Sequence, residues 1–259
     1  MAPASNEGTQ ALADANAGAV LEPATAREYY RRGRTWAEQG RSDLAIADFD
    51  RAIALDPKFG AALNSRGNEH FRLGDYEQAI ADFNEAAFLD ANPCVVYCNR
   101  AGAWLKCGEV EIALDDYGES IKRGPNYAPA YFGRANAWVV DAKYAQAVAD
   151  YRQAIRLDPL FAPAYDNLAW LLASAPSSQH RNGKEAVELA TKACDLTEWK
   201  QAETIATLAA AYAEAGDFGN AIHWQKRAIE LAPGRKPFEA RLVTYQARRP
   251  FHAQPSKEL

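Results

Sequence analysis

Ala45-Ile46-Ala47-Asp48-Phe49, Ala79-Ile80-Ala81-Asp82-Phe83, Ala113-Leu114-Asp115-Asp116-Tyr117 and Ala147-Val148-Ala149-Asp150-Tyr151 are four versions of one phrase, and their first alanines lie 34 residues apart each time. A fixed period of that length signals a repeat architecture. Extended outward, the frame gives units beginning at Ala26, Gly60, Cys94, Ala128 and Ala162. A sixth begins at Ala202, displaced because the fifth unit carries six extra residues near Ser174–Lys184, at a hairpin tip. Residues 26–235 therefore read as six units in register.

Within each unit, apolar residues recur at steps of three and four in two stretches, the period of an amphipathic helix. In the first unit these run from Ala26 to Gln39 and from Ser42 to Leu55, with Gly40-Arg41 between them and Asp56-Pro57 ending the second. Proline cannot continue a helix. One hairpin cannot bury its apolar face alone, so neighbouring hairpins must stack to complete the core. Small residues mark where backbones meet. One slot of the second helix is Ala45, Ala79, Ala113, Ala147, Ala186 and Ala221, and one slot of the first begins Gly33, Gly67, Ala101 and Ala135. Glycine inside a helix costs about 1 kcal/mol against alanine, so close packing is the economical reason for it. Larger residues, including Tyr29, Tyr97 and Tyr131 and then Trp36, His70, Trp104 and Trp138, are expected to fill the core. Arg32, Arg66, Arg100 and Arg134 share one slot, while Asp48, Asp82, Asp116 and Asp150 share another. Both types vanish together in the last two units, which predicts structural Arg–Asp pairs.

The pattern carried in the first unit by Tyr29, Gly33, Trp36, Gly40, Ala45, Phe49, Ala52 and Pro57 resembles the tetratricopeptide repeat. The resemblance implies an all-α fold, a right-handed α-solenoid of stacked antiparallel helix pairs. It departs in places: Ala91 stands where proline is expected, and Ala190 and Gln225 replace the late aromatic of the last two units. After Pro237, the spacing of Phe238, Leu242 and Tyr245 predicts a terminal helix that caps the sixth unit. Residues 236–259 are thus expected to form a capping helix and a loose tail, and residues 1–25 a disordered leader.

The 259 residues are 48% hydrophobic and 24% charged, with a formal net charge of −5. That composition excludes wholesale disorder and a collagen-like fibre. Mild acidity argues against a nucleic-acid partner, since such proteins concentrate Lys and Arg. No apolar run approaches the roughly 18 residues a membrane span needs, so no membrane insertion is expected. The leader lacks the features of a secretory signal, and Ser256-Lys257-Glu258-Leu259 matches no retrieval signal, so the expected address is cytoplasmic. Four cysteines without a metal-ligand spacing read as packed thiols. No nucleotide-binding, metalloprotease or nucleophile-elbow motif is present. No catalytic residue, metal or cofactor is therefore expected, and the chain reads as a non-enzyme.

What remains is recognition of a protein or peptide. The resemblance implies that first helices line a concave groove. Its inward slots hold Arg27, Tyr30 and Arg34 in the first unit and Asn64, Asn68, Phe71 and Arg72 in the second. Lys106 of the third unit and Phe132 and Asn136 of the fourth extend the list, with Asp166 and Trp170 in the fifth. Arginine pairs carboxylates and asparagine bonds peptide backbone, so the expected ligand is an extended, acid-containing segment. The family's clamp for a C-terminal carboxylate needs Lys and Asn at positions that here hold Tyr30 and Arg34, or Asn64 and Asn68, so that ligand is not expected. The alternative is a structural solenoid that self-assembles through its convex face or ends. Oligomeric state is not written in the sequence.

Overall fold

Periodic apolar faces become thirteen α-helices among the residues described by the computed structural model, 23–253, with no strand among them. Positions 1–22 of the expected leader and 254–259 of the expected tail lie outside the described residues. The chain falls into two compact units that divide after Ala91. The first contains α1 (Ala26–Glu38), α2 (Ser42–Leu55), α3 (Gly60–Leu73) and α4 (Tyr76–Phe88). The second contains α5 (Pro93–Lys106), α6 (Val110–Arg123), α7 (Ala128–Val140), α8 (Tyr144–Leu157) and α9 (Ala162–Ser174). It continues through a 3₁₀ turn at Ser178–His180 into α10 (Gly183–Leu196), α11 (Ala202–Glu214), α12 (Phe218–Leu231) and α13 (Lys236–Gln246).

Each repeat folds as a helix pair, and within each unit successive pairs stack second helix on first helix. Thr25 opens α1 with a capping box: its hydroxyl accepts from the Glu28 N–H, and the Glu28 carboxylate accepts from the Thr25 N–H. Those bonds satisfy donors that a helix start cannot satisfy itself. The turn inside a pair, the fifth excepted, uses one left-handed residue. Gly40, Gly74, Gly108 and Gly216 supply it with φ of 74°, 90°, 86° and 83°, and Ala142 holds the same region at 55°.

The small-residue slots are helix contacts. Ala45, Ala79, Ala113, Ala147, Ala186 and Ala221 are completely buried. A Cβ on Gly33 would come within 2.8 Å of the Phe49 ring, and one on Gly67 within 2.7 Å of Phe83. Ala147→Leu is expected to destabilise the second unit by about 1–3 kcal/mol through overpacking. A urea midpoint equal to that of the parent protein would show room that the packing does not have.

The repeated charges pair inside each hairpin. Asp48, Asp82, Asp116 and Asp150 receive two-pronged bonds from Arg32, Arg66, Arg100 and Arg134, with shortest separations of 2.7, 2.5, 2.6 and 2.7 Å. The carboxylates are almost wholly buried. Their bonds raise the pKa of the Arg100 and Arg134 guanidinium groups further, against the opposing effect of burial. The tyrosines belong to the same device rather than to the core. Tyr29, Tyr97 and Tyr131 are only half-buried, and the guanidinium groups of Arg32, Arg100 and Arg134 lie 5.6, 4.9 and 5.7 Å from their ring centres. Where the second repeat carries Leu63, Arg66 reaches a second carboxylate, Asp50, at 2.6 Å.

Two further expectations are corrected. His70, expected to fill the core, does so only in part: its side chain is 19% exposed, and Nδ1 has no hydrogen bond, lying 3.8 Å from Asp75. The tail is not loose as far as Ala253. Phe238 and Tyr245 bury α13 against the sixth pair, where Gln225 Nε2 donates to the Phe238 carbonyl at 3.0 Å. Beyond α13, residues 250–253 then pack onto the second unit, because Phe251 finds an aromatic neighbour there.

Candidate functional site

In the first unit, α1 and α3 carry the expected recognition residues. Arg27 and Arg34 are exposed, with the Arg34 side chain 58% accessible and 3.4 Å from Glu38 in the next turn. Tyr30 is half-buried, its ring 5.9 Å from Phe49 and 4.9 Å from Phe59. Phe71 packs against Tyr76 with the rings tilted and 5.4 Å apart, and Asn64 and Asn68 are half-buried. The two helices meet at Arg72. Its Nη1 donates to the Ala37 carbonyl near the end of α1 at 3.0 Å and to the buried Glu69 carboxylate at 3.2 Å. Expected as a cation for ligand carboxylates, Arg72 is already engaged. It satisfies a carbonyl at a helix C-terminus and the charge of Glu69. Arg27 and Arg34 are the arginines of this face whose heads remain in solvent.

The second unit holds the other expected residues in different surroundings. Lys106 is exposed at the end of α5. Phe132 sits between the rings of Tyr151 and Phe161, at 6.0 and 5.0 Å, so it packs rather than presents a face. Asn136 Oδ1 accepts from the Tyr151 hydroxyl at 2.6 Å and from Asn167 Nδ2 at 2.9 Å. That fixes the Asn136 amide with its Nδ2 as the group left for a ligand. A pocket of about 270 Å³ opens beside this network, walled by Val139, Tyr144, Trp170, Ser174 and Pro176, with Ala253 at its edge. The inserted segment forms part of that wall. Arg181 Nη1 bonds the carbonyls of Ala175 and Pro176 at 2.8 and 3.0 Å, and the Asn182 N–H bonds the Leu172 carbonyl at 2.8 Å.

On the far side of Asn167 lies a smaller cavity of about 140 Å³, lined by Asp166, Thr197, Gln201 and Thr204. Asp166 Oδ1 is buried with no hydrogen-bond partner among the described residues. Burial pushes its carboxyl above the ordinary aspartate range, the Glu203 charge adds to that, and the Thr207 hydroxyl opposes it.

The segment that sequence reasoning missed is Pro250–Ala253. The Phe251 ring lies 5.8 Å from Trp170, and the Arg241 guanidinium sits 5.0 Å from the Trp170 centre and 5.9 Å from that of Phe251. His252 Nε2 is 2.8 Å from Glu214 Oε2, and the other oxygen of Glu214 accepts from Arg181 Nε at 2.9 Å. The Ala253 N–H donates to the Ser174 carbonyl at 2.8 Å, in the last turn of α9. The available signal was Pro250-Phe251 itself, an aromatic in a polar stretch beside a residue that cannot continue a helix.

Among the described residues, no three His, Cys, Asp or Glu side chains gather as metal ligands, and no helix is long and apolar enough to cross a membrane. Stacked helix pairs with an accessible first-helix face define the class: a helical-repeat protein. A family model described as "Tetratricopeptide repeat" matches residues 4–58, 30–93 and 105–160, and a second such model matches 202–235; the chain belongs to the tetratricopeptide repeat family. No curated protein matches it in sequence. Among solved structures it is similar to the APC/C hetero-tetramer Cut9-Hcn1, with a TM-score of 0.78 and 16% identity over 93% of this chain. It spans only 46% of that relative, under half its length. It is also similar to PilW, a type IV pilus biogenesis factor (TM-score 0.72, 15% identity, 83% of this chain and 97% of that one). Yeast Tom70 matches at a TM-score of 0.63 and 21% identity, over 86% of this chain and 47% of its own. Those likenesses are of fold.

Proposed function

We propose that the chain is a non-catalytic interaction scaffold whose first unit binds an extended, acid-containing segment of a partner protein across α1 and α3. The observation that carries this reading is the division of labour among the arginines. Arg32 and Arg66 are committed to buried aspartates and Arg72 to Glu69 and a helix end, whereas Arg27 and Arg34 present their heads to solvent. Tyr30 and Phe71 supply apolar edges on the same helices, and Asn68 a group for peptide backbone. The four free thiols suit a cytoplasmic setting, where cysteines stay reduced.

Exposed ion pairs contribute little each, so affinity should be modest, about micromolar, and should fall as salt rises. A displayed library of random peptides, selected on the full chain, tests the reading. Acid-rich sequences are expected to be enriched by the parent protein and lost with Arg27→Glu/Arg34→Glu, at unchanged helical content and melting temperature. A folded double variant that enriches the same sequences overturns the proposal. Arg72 is a poor choice for this test. Its reversal would set a second carboxylate beside Glu69 and perturb the fold.

A further inference from the structure

Pro250–Ala253 lies on the second unit as a ligand would, held by three separate anchors of different chemistry. Phe251 completes a stack with Arg241 and Trp170, an arrangement that rewards an aromatic ring over an aliphatic side chain. His252 meets one oxygen of Glu214 while Arg181 holds the other. The Ala253 N–H takes a carbonyl that α9 cannot satisfy by itself. The pocket beside Asn136 and Asn167 then opens where the described segment ends.

We propose that this face is a second peptide-binding site, occupied in cis by Pro250–Ala253, and that its partner is an extended protein segment carrying an aromatic residue followed by a hydrogen-bond-donating or basic one. The partner displaces the chain's own segment and reuses its anchors. An acidic residue does not suit the second position, because Glu214 faces it. The site is on the other unit from the acid-binding face and asks for the opposite charge, so it stands or falls independently of that reading.

A cis segment that leaves the site open for about a tenth of the time weakens an outside peptide about tenfold. The test uses a fluorescently labelled peptide of residues 247–254, titrated against the full chain by polarisation. Phe251→Asp should release the segment, so this variant is expected to bind the peptide about tenfold or more tightly than the parent does. Adding Trp170→Ala to it should remove that binding. His252→Ala, which deletes one anchor without adding a charge, should give a smaller gain and guards against misfolding of the first variant. Equal binding by parent and both released variants, or binding indifferent to Trp170→Ala, would show that Pro250–Ala253 is only a brace for α9 and overturn the proposal.

Discussion

Replacing Asp150 with alanine is expected to cost the second unit about 2–3 kcal/mol, one of the largest single effects in the chain. The substitution removes the carboxylate that fixes Arg134 and leaves a guanidinium three-quarters buried without its partner. Breaking a fully buried pair costs about 3–5 kcal/mol, and the exposed fraction of Arg134 lowers the figure. The paired change Arg134→Leu/Asp150→Leu should recover most of the loss, since a buried ion pair and a well-packed apolar pair of similar volume are often nearly equivalent. The protein contains that comparison already. At the arginine position the fifth and sixth repeats carry Leu168 and Leu208, both buried, opposite Leu189 and Trp224. Urea unfolding of the three proteins measures both effects. A loss below about 1 kcal/mol for Asp150→Ala would class the pair with solvent-screened surface contacts.

The second large effect is alkaline unfolding of the same unit. Burial pushes the Cys98 and Cys194 thiols from 9.0 up to about 12, and Tyr245 from 10.0 up to about 12. Each is a neutral group whose folded value exceeds its unfolded one. The stability it contributes is therefore complete below the ordinary value and drains away as pH climbs toward 12. At about 1.4 kcal/mol per pH unit for each group, roughly 7 kcal/mol is lost by about pH 11, comparable with the whole stability of many domains. Helical circular dichroism of the full chain should hold to about pH 9 and fall steeply above it. Cys98→Ala/Cys194→Ala should move that fall upward by removing two of the titrating groups. A melting temperature flat between pH 9 and pH 11 would contradict the prediction.

Local periodicity made the helices legible. The sequence frame put the first helix pair at Ala26–Gln39 and Ser42–Leu55, and the folded chain ends the first of them one residue earlier. The Arg–Asp pairs were legible for the same reason: their partners sit sixteen residues apart in each of four repeats, a spacing that the repeat prints four times. Arg72 was misread because its slot is inward by period, while its partner, the Ala37 carbonyl, is a backbone group that no side-chain pattern reveals. Phe132 was misread because the rings that enclose it, Tyr151 and Phe161, belong to the following helix and loop. The docking of Phe251 on Trp170 occurs once, between segments far apart in sequence, and no repeat carries a record of it.

The sixteen-residue spacing of the Arg–Asp pairs also governs how the chain finds its fold. Closing so short a loop takes well under a microsecond, and contacts local in sequence speed folding. In each of the first four repeats, the charges can fasten the two helices together before any neighbouring hairpin has formed. The fifth and sixth hairpins have leucine and tryptophan at those positions, and apolar surfaces gain only when another layer covers them. Structure should therefore nucleate in the charge-fastened hairpins and spread within the second unit toward α13. In that unit, truncations at Leu168 or Leu208 should speed unfolding while leaving the refolding rate nearly unchanged.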